Sequence, residues 1–174
     1  MFNVDVVTYV ACKMSGRDKP EMTKRAEYVC KTLEEHGITA ISPVVEEEVK
    51  PEQGKLVNHD KERLRGYWIR DKEIIIKEAH VVLMDHAEMK SFGMEREFGL
   101  SRYTLWKPTI ILVPANTPLS VAQFEDDEIF YSVHHAAQEI VRQWGTRFDR
   151  IVWRAKLLNR TLPRFLYRQF LAWR

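Results

Sequence analysis

The chain has 174 residues, of which 45% are hydrophobic and 30% charged, a profile that fits one globular domain with its own core and excludes a disordered or collagen-like chain. The formal net charge of +2 gives no global electrostatic case for binding nucleic acid. The balance is nevertheless uneven, because residues 147–174 hold eight Arg or Lys against one acid, Asp149, which leaves residues 1–146 acidic. Cys12 and Cys30 stand in no metal-binding spacing and fit a reducing, cytoplasmic setting. The apolar N-terminal stretch is too short for a bilayer and lacks the basic start of a signal peptide.

Val4 to Ala11 is β-branched and apolar almost throughout, the pattern of a strand buried on both faces of a parallel sheet. A polar turn follows at Cys12 to Arg17. Pro20 to His36 then carries Met22, Ala26, Val29, Cys30 and Leu33 at helical spacing and stops at Gly37. Ile38 to Val45 is expected to be a second strand, with Pro43 near its end or on an edge. Glu46 to Gly66 is charged and without apolar periodicity, and is expected to be a loop with at most one helical turn. Tyr67 to Glu78 returns to helical spacing, and His80 to Met84 predicts a third buried strand. After a polar loop at Asp85 to Ser91, Phe92 to Trp106 predicts a helix and Pro108 to Pro114 a fourth strand. Glu125 to Gly145 predicts a last helix with Ile129, Val133, Ala136, Ile140 and Trp144 on its apolar face.

This alternation predicts an α/β fold, a doubly wound Rossmann- or flavodoxin-like parallel sheet of four to five strands. The binding site is then expected at the carboxyl ends of the strands, in the loops at 12–17, 43–48, 85–93 and 114–120. The domain spans residues 1–146, and 147–174 form a basic, amphipathic helical extension. In that tail Arg150, Arg154, Arg160, Arg164 and Arg168 alternate with apolar residues, and Pro163 divides it into two helices. Such a segment packs on the acidic body or a partner subunit, or lies on an anionic membrane or nucleic acid; the first is the simpler expectation.

The segment Ser91-Phe92-Gly93-Met94-Glu95-Arg96-Glu97-Phe98-Gly99 opens a helix directly after a parallel strand, a place where free N–H groups and the helix dipole favour an anion. Residues two apart on a helix point about 200° from each other, so only one of Glu95 and Glu97 faces a pocket. A solvated helix face with Ser91 as its N-cap remains the alternative. The scattered histidines, including His134 and His135, form no metal-binding spacing, and no metal or organic cofactor is expected.

Four blocks, taken in order, resemble the nucleoside 2-deoxyribosyltransferase superfamily and most nearly its (deoxy)nucleoside 5′-monophosphate N-glycosidases. They are Tyr9-Val10-Ala11-Cys12-Lys13-Met14-Ser15-Gly16, then Ser42 to Glu46, then Arg70-Asp71 ahead of Ala79 to Leu83, and Ser91-x-Gly93-x-x-x-Glu97-x-Gly99 followed by Lys107-Pro108. The resemblance covers residues 4–122 and implies Glu97 as the nucleophile at the anomeric carbon, Asp71 as the group that protonates the departing base, and Tyr9 as the residue that orients Glu97. It also implies that Lys13, Met14, Ser15, Gly16, Arg17, Ser91 and Gly93 cradle the substrate, and that Ser120 reaches the phosphate of a neighbouring subunit in a homodimer or larger homo-oligomer. Ser91 stands where transferases acting on free nucleosides have Asp, which on charge grounds favours a 5′-monophosphate.

The chain departs from the family pattern by Cys12 for Gly and His80 for Asp, and by one additional residue both between Asp71 and the strand and between Glu97 and Lys107. Hydrolysis of the N-glycosidic bond is the expected activity, with base exchange and a non-catalytic nucleotide-binding module as alternatives.

Overall fold

The computed structural model describes residues 4–12, 19–46, 61–86, 92–114 and 129–155. Its strands are β1 (Val7–Cys12), β2 (Thr39–Ile41), β3 (Val81–Asp85), β4 (Thr109–Leu112) and β5 (Ile129–Phe130). Its helices are α1 (Lys19–Glu35), α2 (Pro43–Glu46), α3 (Lys61–Lys77), α4 (Phe92–Gly99), α5 (Val133–Trp144) and α6 (residues 147–155). α4 runs on without a break into one π-helical stretch, Leu100–Thr104.

All neighbouring strands pair in parallel, in the order β2-β1-β3-β4-β5. The fold is therefore the flavodoxin-like form of the doubly wound sheet, and the chain reverses its direction of winding between β1 and β3, where a ligand crevice is expected. The continuous apolar runs make physical sense here, since both faces of the central strands are covered. Val6, just before β1, and Val10 within it enter a core shared with α1 and α5 (Val29, Leu33, Ala136, Ile140), while Tyr9 and Ala11 enter a second core with α3 and α4 (Ile74, Ile75, Met94). The turn after α1 is a Schellman closure: Gly37, with φ +78°, donates to Glu34 O, and Ile38 donates to Leu33 O, a conformation that favours glycine.

Four sequence expectations need correction. The second strand stops at Ile41, because Pro43 opens the short α2, using its preset φ at a position where no N–H is needed. The segment expected to be a loop up to Gly66 is helical from Lys61. Ile129, expected on the apolar face of a helix from Glu125, and Phe130, expected within it, instead form edge strand β5, and α5 begins only at Val133. The helix expected to run to Trp106 leaves α geometry after Gly99.

α6 lies against the amino end of the sheet. Arg150 donates to Trp144 O at 3.1 Å, to Asp5 O, and to the Asp5 carboxylate at 3.4 Å, while Trp153 packs edge-on against Trp144. Residues 156–174, with Pro163 and the rest of the basic tail, lie outside the described residues. No helix among the described residues is long and apolar enough to cross a membrane.

Candidate active site

Three of the residues singled out by sequence converge on the α3/α4 face of the sheet. Tyr9 is supplied by β1, Asp71 by the middle of α3 and Glu97 by the last turn of α4, and all three are buried. The Tyr9 hydroxyl donates to Glu97 Oε1 at 3.3 Å. Glu95, two residues earlier, is exposed, so the helical geometry sorts the two carboxylates as expected. The additional residue after Asp71 does not turn it away, since its charge acts on both Tyr9 and Glu97.

Burial, and then the nearby Asp71 charge, push the Glu97 carboxyl up to about 8, and the hydrogen bond from Tyr9 draws it back only in part. Burial and the Asp71 charge both favour the protonated form of Glu97 in the unliganded site. Burial and the two carboxylates raise Tyr9 far above its ordinary range, so its hydroxyl remains a donor. Asp71 has a cation at hand: Arg70 Nε and Nη2 both reach Asp71 Oδ1, at 3.0 and 2.9 Å. The Arg70 guanidinium lies over the Tyr67 ring, 5.4 Å from its centroid. On α4, Arg96 stacks over Trp68 of α3 at 4.3 Å and so ties the two site-bearing helices together.

The opposite face of the same crevice holds a pair that the sequence did not reveal. Asp85, at the carboxyl end of β3, is buried and accepts from Arg25 of α1 through Nε at 2.8 Å and Nη2 at 3.2 Å. Cys12 stands beside Asp85 in register at the end of β1. Burial, and secondarily the Asp85 charge, raise its thiol well above the ordinary range, so it is a neutral wall residue and not a thiolate nucleophile.

Gly93 lies in the first turn of α4. Lys13, Met14, Ser15, Gly16, Arg17, Ser91 and Ser120 lie outside the described residues. His80 is remote from the site: its Nδ1 accepts from the Val7 N–H at 3.0 Å, and burial lowers its basicity, as suits an acceptor imidazole. Lys107, the residue of the fourth block, is also structural, donating to Ile76 O at 3.1 Å and to Ala79 O at the end of α3. Among the described residues no group of three or more His, Cys, Asp or Glu is placed to hold a metal ion.

No family model and no curated protein matches the chain. Among solved structures, the fold is similar to that of a 2-deoxyribosyltransferase from the psychrotolerant bacterium Bacillus psychrosaccharolyticus, with a TM-score of 0.55 and 20% identity over 75% of this chain and 90% of that one.

Proposed function

We propose that the chain cleaves the N-glycosidic bond of a (2′-deoxy)nucleoside 5′-monophosphate, releasing the free base and the sugar phosphate. The observation that carries this reading is the buried cluster in which Tyr9 hydrogen-bonds Glu97 beside Asp71. Two carboxyl groups and one hydroxyl, at the carboxyl ends of a parallel sheet, supply what the reaction demands. A nucleobase leaves poorly unless it is protonated, and the oxocarbenium-like transition state needs a negative oxygen at the anomeric carbon.

In this reading the Glu97 carboxylate forms a bond to the anomeric carbon as the bond to the base nitrogen breaks, and Asp71 gives that nitrogen a proton. Asp71 then takes a proton from the water that releases the sugar phosphate from Glu97. Tyr9 holds the attacking oxygen in place and remains uncharged throughout. The similarity to a 2-deoxyribosyltransferase supports chemistry at a nucleoside's glycosidic bond and equally suits a second reading, in which another base replaces water. Ser91 supports the monophosphate over the free nucleoside.

The test is a panel of ribo- and deoxynucleosides and their 5′-monophosphates, with and without an acceptor base, scored by chromatography for free or exchanged base. Release from monophosphates alone, lost in Glu97→Ala, is the expected result. Exchange without net release would establish the transferase. No reaction with any member, together with a rise in melting temperature on adding nucleotide, would identify a binding module.

A further inference from the structure

The cation in the cluster serves the wrong carboxylate for immediate catalysis. Arg70 places two N–H groups on Asp71 Oδ1, whereas the hydrogen bond that Glu97 accepts comes from the neutral Tyr9 hydroxyl. Among the described residues, the groups facing Glu97 are Tyr9 and Cys12 from β1 and Asp71 from α3, with Arg96 of α4 engaged on Trp68. Those facing Asp71 include Arg70, Tyr9 and Glu97. Two neighbouring buried carboxyl groups favour holding one proton between them, and a guanidinium on one of them biases that proton toward the other. Glycosidic cleavage needs the reverse arrangement, an ionised Glu97 and a protonated Asp71.

We propose that Arg70 holds the unliganded site disarmed, pairing with Asp71 so that the shared proton stays on Glu97, and that its withdrawal on substrate binding lets the proton pass to Asp71. This rests on the N-glycosidase reading above. The transfer conserves charge: Glu97 Oε loses the proton, Asp71 Oδ gains it, and the same proton then goes to the base nitrogen as the bond to the anomeric carbon breaks. The driving force is differential binding. An acceptor nitrogen of a base is repelled by an ionised carboxylate and welcomed by a protonated one, and a protonated carboxyl has little hold on a guanidinium. Arg70 has somewhere to go, since its side chain is 35% exposed against 8% for Asp71, and the Tyr67 ring keeps it close for the return. Arg70 is thus a positioning residue that acts through Asp71.

The experiment is to locate the proton. The infrared carbonyl band of protonated carboxyl groups is recorded at pH 7 for the unliganded wild type, Arg70→Gln and Arg70→Lys, each grown with 13C in its glutamate or its aspartate carboxyl groups. Glu97→Gln identifies the wild-type band. The band is expected to shift with labelled glutamate in the wild type and in Arg70→Lys, which keeps the cation, and with labelled aspartate in Arg70→Gln. With the proton already on Asp71, Arg70→Gln should release base severalfold faster at pH 7. Loss of the nearby cation also favours protonation of the pair, so the pH at which activity falls off should rise. A glutamate band that persists in Arg70→Gln, with an unmoved pH profile, would overturn the proposal. If the wild type releases no base from any nucleotide, the glycosidase reading fails, and the band assignment still decides what Arg70 does to the pair.

Discussion

The two faces of the crevice at the carboxyl ends of β1 and β3 each bury an acid at the end of a chain of apolar contacts, and they treat it in opposite ways. On the α1 face, Asp85 meets both donors of the Arg25 fork, the geometry in which a guanidinium best neutralises a carboxylate. On the α3/α4 face, two acids share one hydroxyl and one cation, and Glu97 is held near 8. Burial alone does not make a reactive group. What distinguishes the faces, among the described residues, is that one pairs a single acid with a bidentate cation and the other sets two acids beside one cation, which stores the perturbation that acid–base and nucleophilic chemistry use.

Removing the groups one at a time should separate the faces. Glu97→Gln is expected to lower base release by on the order of 10³-fold or more, as loss of a nucleophile does, while leaving the fold intact by circular dichroism. Arg25→Ala should do the reverse, abandoning a buried Asp85 carboxylate and costing about 3 kcal/mol in denaturant unfolding. Asp85→Asn should cost less, because Arg25 is one-third exposed and recovers water. An Arg25→Ala protein of unchanged stability would show that Asp85 is not held as an ion.

Tyr9→Phe lies between these extremes. It removes one hydrogen bond to a charged group, about 1.5–3 kcal/mol, or roughly a 10- to 100-fold loss of rate. Because that bond draws Glu97 down, the pH at which activity falls off should move above about 8. The smallest effect is on stability. Between its ordinary value of 4.5 and about 8, the folded Glu97 keeps a proton that the unfolded chain has released, so stability falls as pH rises through this window. Lys107, lowered by burial to about 8, contributes the opposite slope only above that pH. Melting temperatures from pH 5 to 8 should therefore decline less in Glu97→Gln than in the wild type.

How much of this was legible in the sequence depended on whether a residue's partner lies along the chain or across it. β1, β3 and β4 were evident because strands covered on both faces leave unbroken apolar runs. β5 was hidden, since Ile129 and Phe130 continue the spacing of α5 and a two-residue strand has no period of its own. The first turn and a half of α3, Lys61 to Gly66, is largely charged and carries no apolar period, so only its backbone reveals it as helix. Helical geometry allowed only one of Glu95 and Glu97 to face a pocket, and the resemblance supplied the choice of Glu97 together with Tyr9 and Asp71. The Arg25–Asp85 pair, 60 residues apart, left no local trace. Arg70 and Asp71 are adjacent, yet neighbours on a helix do not ordinarily face each other, so their pairing could be read only from coordinates.

The π-helical stretch after Glu97 bears on how the chain came to differ from the pattern it resembles. There Leu105 N–H donates to Leu100 O at 2.9 Å, a span of five residues, and Lys107 N–H reaches back to Ser101 O. A single wide turn of this kind takes up one residue more than an α-helix of equal length would hold, and the span from Glu97 to Lys107 is one residue longer than in the resembled family. The additional residue is thus accommodated as a local bulge after Glu97, between α4 and β4. Deleting one residue from 100–104 should restore an unbroken α-helix and leave the Tyr9–Glu97 contact where it is.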